Sequence, residues 1–107
     1  MVTGMTETVL RIDGRLASTS VPAFQHRLSE ASLLGTERLL LDLSRVSYMG
    51  SAALRAILVT AKRLAAAGGK LAVFAPPQIA RIFQVSGLDA VMPVRGDLAQ
   101  ARDALAG

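Results

Sequence analysis

The sequence predicts an α/β fold: a mostly parallel central sheet of four to five strands, packed with four helices. Strand-length apolar segments alternate with helix-length segments of 3.6-residue periodicity, in the order β, α, β, α, β, α, β, α. The connections are long enough to be crossovers, which place successive strands parallel and pack the helices on the sheet. The chain has 107 residues, the usual size of one domain, and we expect residues 1–107 to form one.

The first half of the chain predicts two strands and one helix. Residues 8–12 alternate apolar and polar side chains, which predicts a partly exposed strand with a turn or bulge at Gly14. Pro22 suits the first turn of a helix that continues to Gly35. The predicted inward face of this helix consists of Val21, Phe24, Leu28 and Ala31. The nearly continuous apolar run 39–43 predicts a central strand covered on both faces.

The second half follows the same alternation. Residues 52–67 are good helix formers without Gly or Pro, and two glycines end this longest helix. A strand over 70–74 follows, and then a helix that Gly87 caps at its C terminus. A short strand over 90–94 and a final helix capped by Asp97 complete the predicted order.

Composition excludes several classes of function. The chain has no cysteine, which excludes disulfides, thiolate metal sites and cysteine nucleophiles and suits a reducing compartment. Residues 1–8 lack the features of a signal peptide, and no apolar run approaches the ~20 residues of a bilayer span. The net charge is +4, but the basic residues are scattered and the four aromatic residues lie far apart. We therefore expect a cytoplasmic protein without nucleic-acid binding or membrane insertion.

No constellation of side chains indicates catalysis. His26, the single histidine, has only Glu30 as an acidic neighbour at helical spacing, and no nucleophile accompanies it. Asp42 interrupts an apolar strand near the edge where parallel sheets carry functional loops, so both a bond to loop amides and a ligand-binding role stay open. The glycine-lysine run 68–70 follows a helix and opens a strand, the reverse of a phosphate loop. We expect neither enzyme activity nor a metal or cofactor.

The junction between the central strand and the longest helix is the least generic stretch of the chain. It covers residues 41–55 and includes a hydroxyl-rich loop over 44–50 before the helix. The start of a helix presents unpaired N–H groups and a partial positive charge, so a hydroxyl there can cap the helix. A phosphate added there would be stabilised for the same reason.

Four motifs follow one another along the chain: VLRIDGRL at 9–16, DLSRVSYM at 42–49, AAGGKL at 66–71 and RIFQVSGL at 81–88. In this order and spacing they resemble the STAS domain, as in bacterial anti-sigma factor antagonists. The resemblance implies a protein that binds an anti-sigma factor, typically a serine kinase, and so frees a sigma factor for RNA polymerase. In that family the kinase phosphorylates a serine in an Asp-Ser-Ser-Gly motif, which prevents binding, and a phosphatase restores it.

The sequence departs from that family motif at positions 50–53, which read Gly-Ser-Ala-Ala. The aspartate is absent, and the serine that takes phosphate in the family is aligned with Ala52. Three interpretations of Ser51 stay open: a helix N-cap, a shifted phosphoacceptor, or a partner contact that is never phosphorylated. Docking itself depends on shape and exposed side chains more than on one hydroxyl.

The outer side of the longest helix completes the predicted docking surface. Ala52, Ala56 and Val59 are expected opposite its core side with basic residues beside them. They form an ordinary helix surface, a face that packs against the N-terminal segment, or an apolar strip suited to an acidic partner. The predicted partner-binding residues are Tyr48, Met49, Gly50, Ser51, Ala52, Arg55, Ala56, Val59 and Lys62. The alternative that the resemblance implies is a STAS accessory subunit of a membrane transporter or lipid-transport ATPase complex. The oligomeric state stays open.

Overall fold

A computed structural model describes residues 7–33 and 37–106, and its elements follow the predicted order. The four strands of this part of the chain are β1 (Glu7–Leu16), β2 (Arg38–Met49), β3 (Lys70–Phe74) and β4 (Val94–Arg95). Its helices are α1 (Val21–Leu33), α2 (Ser51–Ala66), α3 (Pro77–Ser86) and α4 (Leu98–Ala106). A 3₁₀ turn, Leu88–Ala90, lies between α3 and β4.

The four described strands form one sheet in the order β1-β2-β3-β4, and every neighbouring pair is parallel. Each crossover leads to the next strand in the same direction, so right-handed connections place α1, α2 and α3 on one face of the sheet. The last helix, α4, has no strand after it in the described sheet and packs on the opposite face against β2 and β3. The predicted α/β class with four helices on a parallel sheet is confirmed.

Two hydrophobic clusters hold these layers together. The larger lies between the sheet and the three crossover helices, and β2 contributes Leu39, Leu41 and Leu43 to it. The smaller lies under α4 and contains Leu40, Ala72, Ala101 and Leu105. These four leucines of β2 have no exposed surface, and burying each contributes roughly 1.5–3 kcal/mol. The strand is therefore covered on both faces, as its apolar run predicts.

The first helix buries the side predicted from its periodicity. All four residues of that face are buried in the larger cluster: Val21, Phe24, Leu28 and Ala31. The predicted helix end at Gly35 lies outside the described residues. None of the helices in the described ranges combines the length and hydropathy needed to cross a bilayer.

The central strand is longer than predicted. It continues to Met49, so most of the segment 44–50, predicted as a loop from its hydroxyl residues, is strand. Pairing with β1 explains the difference, because the two strands stay hydrogen-bonded until Leu16 lies opposite Met49. Two register shifts interrupt this pairing, and one directly follows Gly14, whose φ of 88° confirms the predicted irregularity.

The predicted strand over 90–94 is wrong in its extent. Gly87 caps α3 in the left-handed conformation as predicted, with φ 81°. The amides of Val91 and Met92 then donate to the Leu88 carbonyl oxygen at 2.9 and 3.1 Å, so the chain is turned there and becomes a strand only at β4. The cap of the final helix is confirmed, since the Gln100 amide donates to Asp97 Oδ1 at 2.8 Å.

Candidate docking surface

A single residue, Gly50, connects the end of β2 to the start of α2. Its amide donates to the Leu16 carbonyl oxygen at 3.0 Å, which ties the ends of both strands to the helix start. Its own carbonyl oxygen accepts from the amides of Ala53 and Leu54 at 3.2 and 3.3 Å. Gly50 has extended backbone angles, φ −86° and ψ 172°, and is therefore the N-cap residue of α2.

Ser51 is the first residue of α2, so its interpretation as the N-cap is wrong. The strand extends to Met49, which moves the cap position to Gly50 and leaves α2 without a side-chain cap. The Ser51 side chain is exposed, and its hydroxyl forms no hydrogen bond with any described residue. The interpretations as a phosphoacceptor and as a partner contact both stay compatible with this geometry.

An aromatic side chain and a cation lie next to Ser51. The Arg15 guanidinium carbon is 4.6 Å from the centroid of the Tyr48 ring, and the two residues are opposite one another on β1 and β2. Such cation–π contacts contribute about 0.5–1 kcal/mol at exposed sites, and 43% of Tyr48 is exposed. Both side chains line a cavity of about 300 Å³ together with Gly50, Ser51 and Ala52.

Arg15 is the residue that sequence reasoning missed. The pairing of β1 with β2 shifts register both before and after residues 13–14. The simple alternation of side chains along β1 therefore cannot predict which β2 residue Arg15 faces. The one available signal was Gly14, which marked an irregularity without giving its size.

Two predicted contact residues are not on the surface. Met49 is 4% exposed and packs in the larger core cluster, as its alternation within the extended β2 requires. Ala56 is 7% exposed, although a helical projection places it opposite the core side of α2. The reason is α1, which packs beside α2 and covers that flank of the helix. Ala56 therefore lies at the bottom of the gap between α1 and α2 and not on the outer surface of the helix.

The remaining predicted residues lie at the surface. We call the exposed set the docking surface: Tyr48, Ser51, Ala52, Arg55, Val59 and Lys62. The α2 members recur at spacings of three and four residues and so lie along one side of the helix. Gly50 is half-buried between the strand and this helix. The sequence of α2 contains no acidic residue, so its cations give this surface a positive charge.

The other candidate residues have structural partners. Asp42 Oδ1 accepts from the Ser44 amide at 2.9 Å, and Oδ2 lies 3.5 Å from Arg11 Nε. His26 Nε2 is 3.6 Å from Glu30 Oε2 on the exposed side of α1. Within residues 7–33 and 37–106, no three acidic or histidine side chains are arranged to hold a metal ion. The structure thus agrees with the simpler interpretation of Asp42, a carboxylate that bonds to a neighbouring amide.

Comparison with protein families identifies the class. The model of the STAS domain matches residues 2–101, and the chain belongs to the STAS domain family. The family resemblance carried by the four motifs is confirmed.

Particular relatives are named as anti-sigma factor antagonists. The chain is 32% identical over 96 residues to BtrV of Bordetella bronchiseptica, a candidate anti-sigma factor antagonist, and the match covers 89% of this chain and 79% of that protein. An anti-sigma factor antagonist from Mycobacterium paratuberculosis has a crystal structure with a TM-score of 0.87 at 24% identity, covering 99% of this chain and 91% of the other. The antagonist SpoIIAA in its unphosphorylated form gives a TM-score of 0.77 at 24% identity, covering 100% and 94%. At these identities the two solved structures show the fold.

Proposed function

We propose that this protein binds an anti-sigma factor and thereby regulates sigma-factor-dependent transcription. The observation that supports this role is its relation, within the STAS family, to a protein named as an anti-sigma factor antagonist. The role is one of binding rather than catalysis, and it operates in the cytoplasm. Occupying the anti-sigma factor leaves less of it to hold the sigma factor, so the two binding events compete.

The docking surface has the composition that such a role requires. It combines an aromatic side chain at Tyr48 and an aliphatic one at Val59 with small residues and cations. Protein interfaces place apolar and aromatic groups at the centre and charges at the rim. The helix α2 has 16 residues and is therefore about 24 Å long, enough to span an interface of ordinary size.

Phosphorylation by a kinase-type anti-sigma factor would occur at Ser51. Its hydroxyl is exposed at the junction, whereas Ala52 occupies the position that takes phosphate in the family motif. A phosphate on Ser51 carries a charge of about −1.5 to −2 and would offset the positive charge of the docking surface. It would thus weaken the attraction for an acidic partner, and removal by a phosphatase would restore binding.

Mass spectrometry tests the phosphorylation step separately from binding. The purified anti-sigma factor and ATP are incubated with the wild type, with Ser51→Ala and with Ala52→Ser. We expect phosphate on Ser51 in the wild type, none in Ser51→Ala, and a new phosphosite in Ala52→Ser, whose side chain is also exposed. Detection of unmodified Ser51 after complete turnover of a control substrate would reject this step and leave the binding role unaffected.

Direct binding and competition test the role itself. Each anti-sigma factor encoded by the source genome is purified and titrated with the protein by calorimetry, and sigma release from a preformed complex is followed by transcription in vitro. We expect one anti-sigma factor to bind and its sigma factor to be released. Recovery of transporter or lipid-transport ATPase subunits by affinity purification, with no anti-sigma factor bound in the titrations, would contradict the proposal and favour the accessory-subunit alternative.

A further inference from the structure

A groove of about 350 Å³ runs between α1 and α2 and shares Arg55 and Val59 with the docking surface. Three buried residues form its floor: Leu28, Ala56 and Thr60. The Thr60 hydroxyl donates to the Ala56 carbonyl oxygen at 2.9 Å, so its hydrogen is already used within the helix. The floor therefore offers mainly apolar contact.

The two walls of the groove differ in charge. The α2 wall consists of Arg55, Val59 and Arg63, which are spaced four residues apart and so lie along one line of the helix. From the rise per residue, the backbone positions of the two arginines are about 12 Å apart. The α1 wall contributes the neutral residues Gln25 and Ser29. A half-exposed valine thus lies between two cations, and none of the described residues that line the groove carries a carboxylate.

These cations are not neutralised within the described part of the chain. Neither Arg55 nor Arg63 forms an ion pair with a described residue, and α2 contains no acidic side chain. The acidic residue of α1, Glu30, does not line the groove, and its carboxylate lies 3.6 Å from His26 Nε2 instead. Electrostatic complementarity therefore favours an occupant that supplies carboxylates.

We infer that this groove receives an acidic amphipathic helix of the anti-sigma factor, an inference that rests on the proposed function. A third helix fits between the ridges of two packed helices, and helix-in-groove binding uses anchors that repeat at helical spacing. An apolar side chain of that helix contacts Val59 and the floor at Ala56. Carboxylates eight residues apart on the same helix are also about 12 Å apart, which matches the spacing of Arg55 and Arg63.

Charge reversal tests the electrostatic part of this inference. The purified anti-sigma factor is titrated by calorimetry with the wild type, Arg55→Glu, Arg63→Glu and, as a matched control on α3, Arg81→Glu, at ionic strengths of about 0.05 and 0.5 M. We expect each groove variant to weaken binding about tenfold or more at low salt and by much less at high salt. The Arg81→Glu variant changes an exposed helical arginine outside the groove and should bind within about twofold of the wild type.

Filling the groove tests its shape independently of charge. Ser29→Trp places a large side chain on the α1 wall, outside the docking surface, and should weaken binding about tenfold with the salt dependence unchanged. Thermal melts show whether each variant is folded, and Ser29→Phe replaces it if the tryptophan unfolds the protein.

The outcomes separate this inference from the proposed function. If the wild type binds the anti-sigma factor and the groove variants bind equally well, the groove assignment is overturned while the function stands. If Arg81→Glu weakens binding as much as Arg55→Glu, the attraction is a general one of a basic protein for polyanions, and the groove assignment is also overturned. If no anti-sigma factor binds the wild type, both fail.

Discussion

Replacing Val59 with aspartate should weaken partner binding strongly while leaving the fold nearly unchanged. Val59 is 47% exposed, so the substitution loses about half of the roughly 1.5–3 kcal/mol that full burial of a valine contributes. The new carboxylate lies four residues from both Arg55 and Arg63, and each such helical pair contributes about 0.2–0.5 kcal/mol. The free energy of unfolding should therefore fall by about 1 kcal/mol or less, which lowers Tm by no more than about 8 °C.

Binding should respond far more strongly than stability. The carboxylate would replace the exposed aliphatic side chain of the docking surface and offset one of the two positive charges of Arg55 and Arg63 beside it. We expect an affinity loss of about 30-fold or more, corresponding to the roughly 2 kcal/mol of a central interface residue. Calorimetric titration with the anti-sigma factor measures this loss, and differential scanning calorimetry of the same sample measures the melt.

Val85→Asp is the matched control for this experiment. It makes the same change at a 79% exposed helical position on α3, away from the docking surface. Its melt should also change little, and its affinity should stay within about twofold of the wild type. Equal affinity of Val59→Asp and the wild type would refute the assignment of this helix face to docking. An unfolded Val59→Asp would refute the estimate that the residue contributes little to the core.

Three further predictions concern residues that stabilise the strands and the helix on which the docking surface lies. Gly69→Ala should destabilise the protein by about 1–3 kcal/mol in urea unfolding, because the new Cβ would collide with the backbone carbonyl just before β2. Gly96→Ala is the control, since a Cβ there has open space, and it should leave the stability unchanged. Gly50→Asp should stabilise the protein by about 0.5–1 kcal/mol in the same assay, because a Cβ fits at this position and a carboxylate is favourable at a helix N terminus. A lower free energy of unfolding would contradict the assignment of Gly50 as the N-cap. Asp42→Ala should lower the free energy of unfolding by about 1–3 kcal/mol because the Ser44 amide loses its acceptor. Asp42→Asn keeps an acceptor at this position, and equal melting temperatures of the two variants would show that this hydrogen bond does not stabilise the fold.

The order of elements was predictable because each element depends on local hydrophobic periodicity and on the glycine and proline residues that mark its ends. The buried face of α1 and the left-handed cap at Gly87 both follow from such local rules. The length of β2 was not predictable in this way. Ser44 and Ser47 favour loops by composition. Only the pairing of their neighbours Arg45, Val46 and Tyr48 with β1, more than thirty positions away in sequence, keeps this segment in a strand.

The site was predictable to the level of an element but not of each side chain. Periodicity places Ala56 on the outer side of α2 as part of an apolar strip. In the structure α1 packs against that side of the helix, so Ala56 lies at the floor of a groove. The contact of Arg15 with Tyr48 depends on two bulges whose sizes no local pattern encodes. The predictions that the structure contradicts therefore concern residues at which one element packs against another that is distant in sequence.

The structure gives a physical reason why residues 50–53 can differ from the family motif without disturbing the packing that holds the docking surface. Within positions 50–53, Ala53 is fully buried and packs in the core, whereas Ser51 and Ala52 are exposed. Gly50 bonds to Leu16 and to the first turn of α2 through its backbone alone, so these bonds do not require a carboxylate side chain. Exchanging the exposed hydroxyl positions alters neither the core nor these bonds. The packing that holds the docking surface is thus separable from the proposed phosphorylation step, because the first depends on contacts of the helix with the sheet and the second on two solvent-exposed side chains.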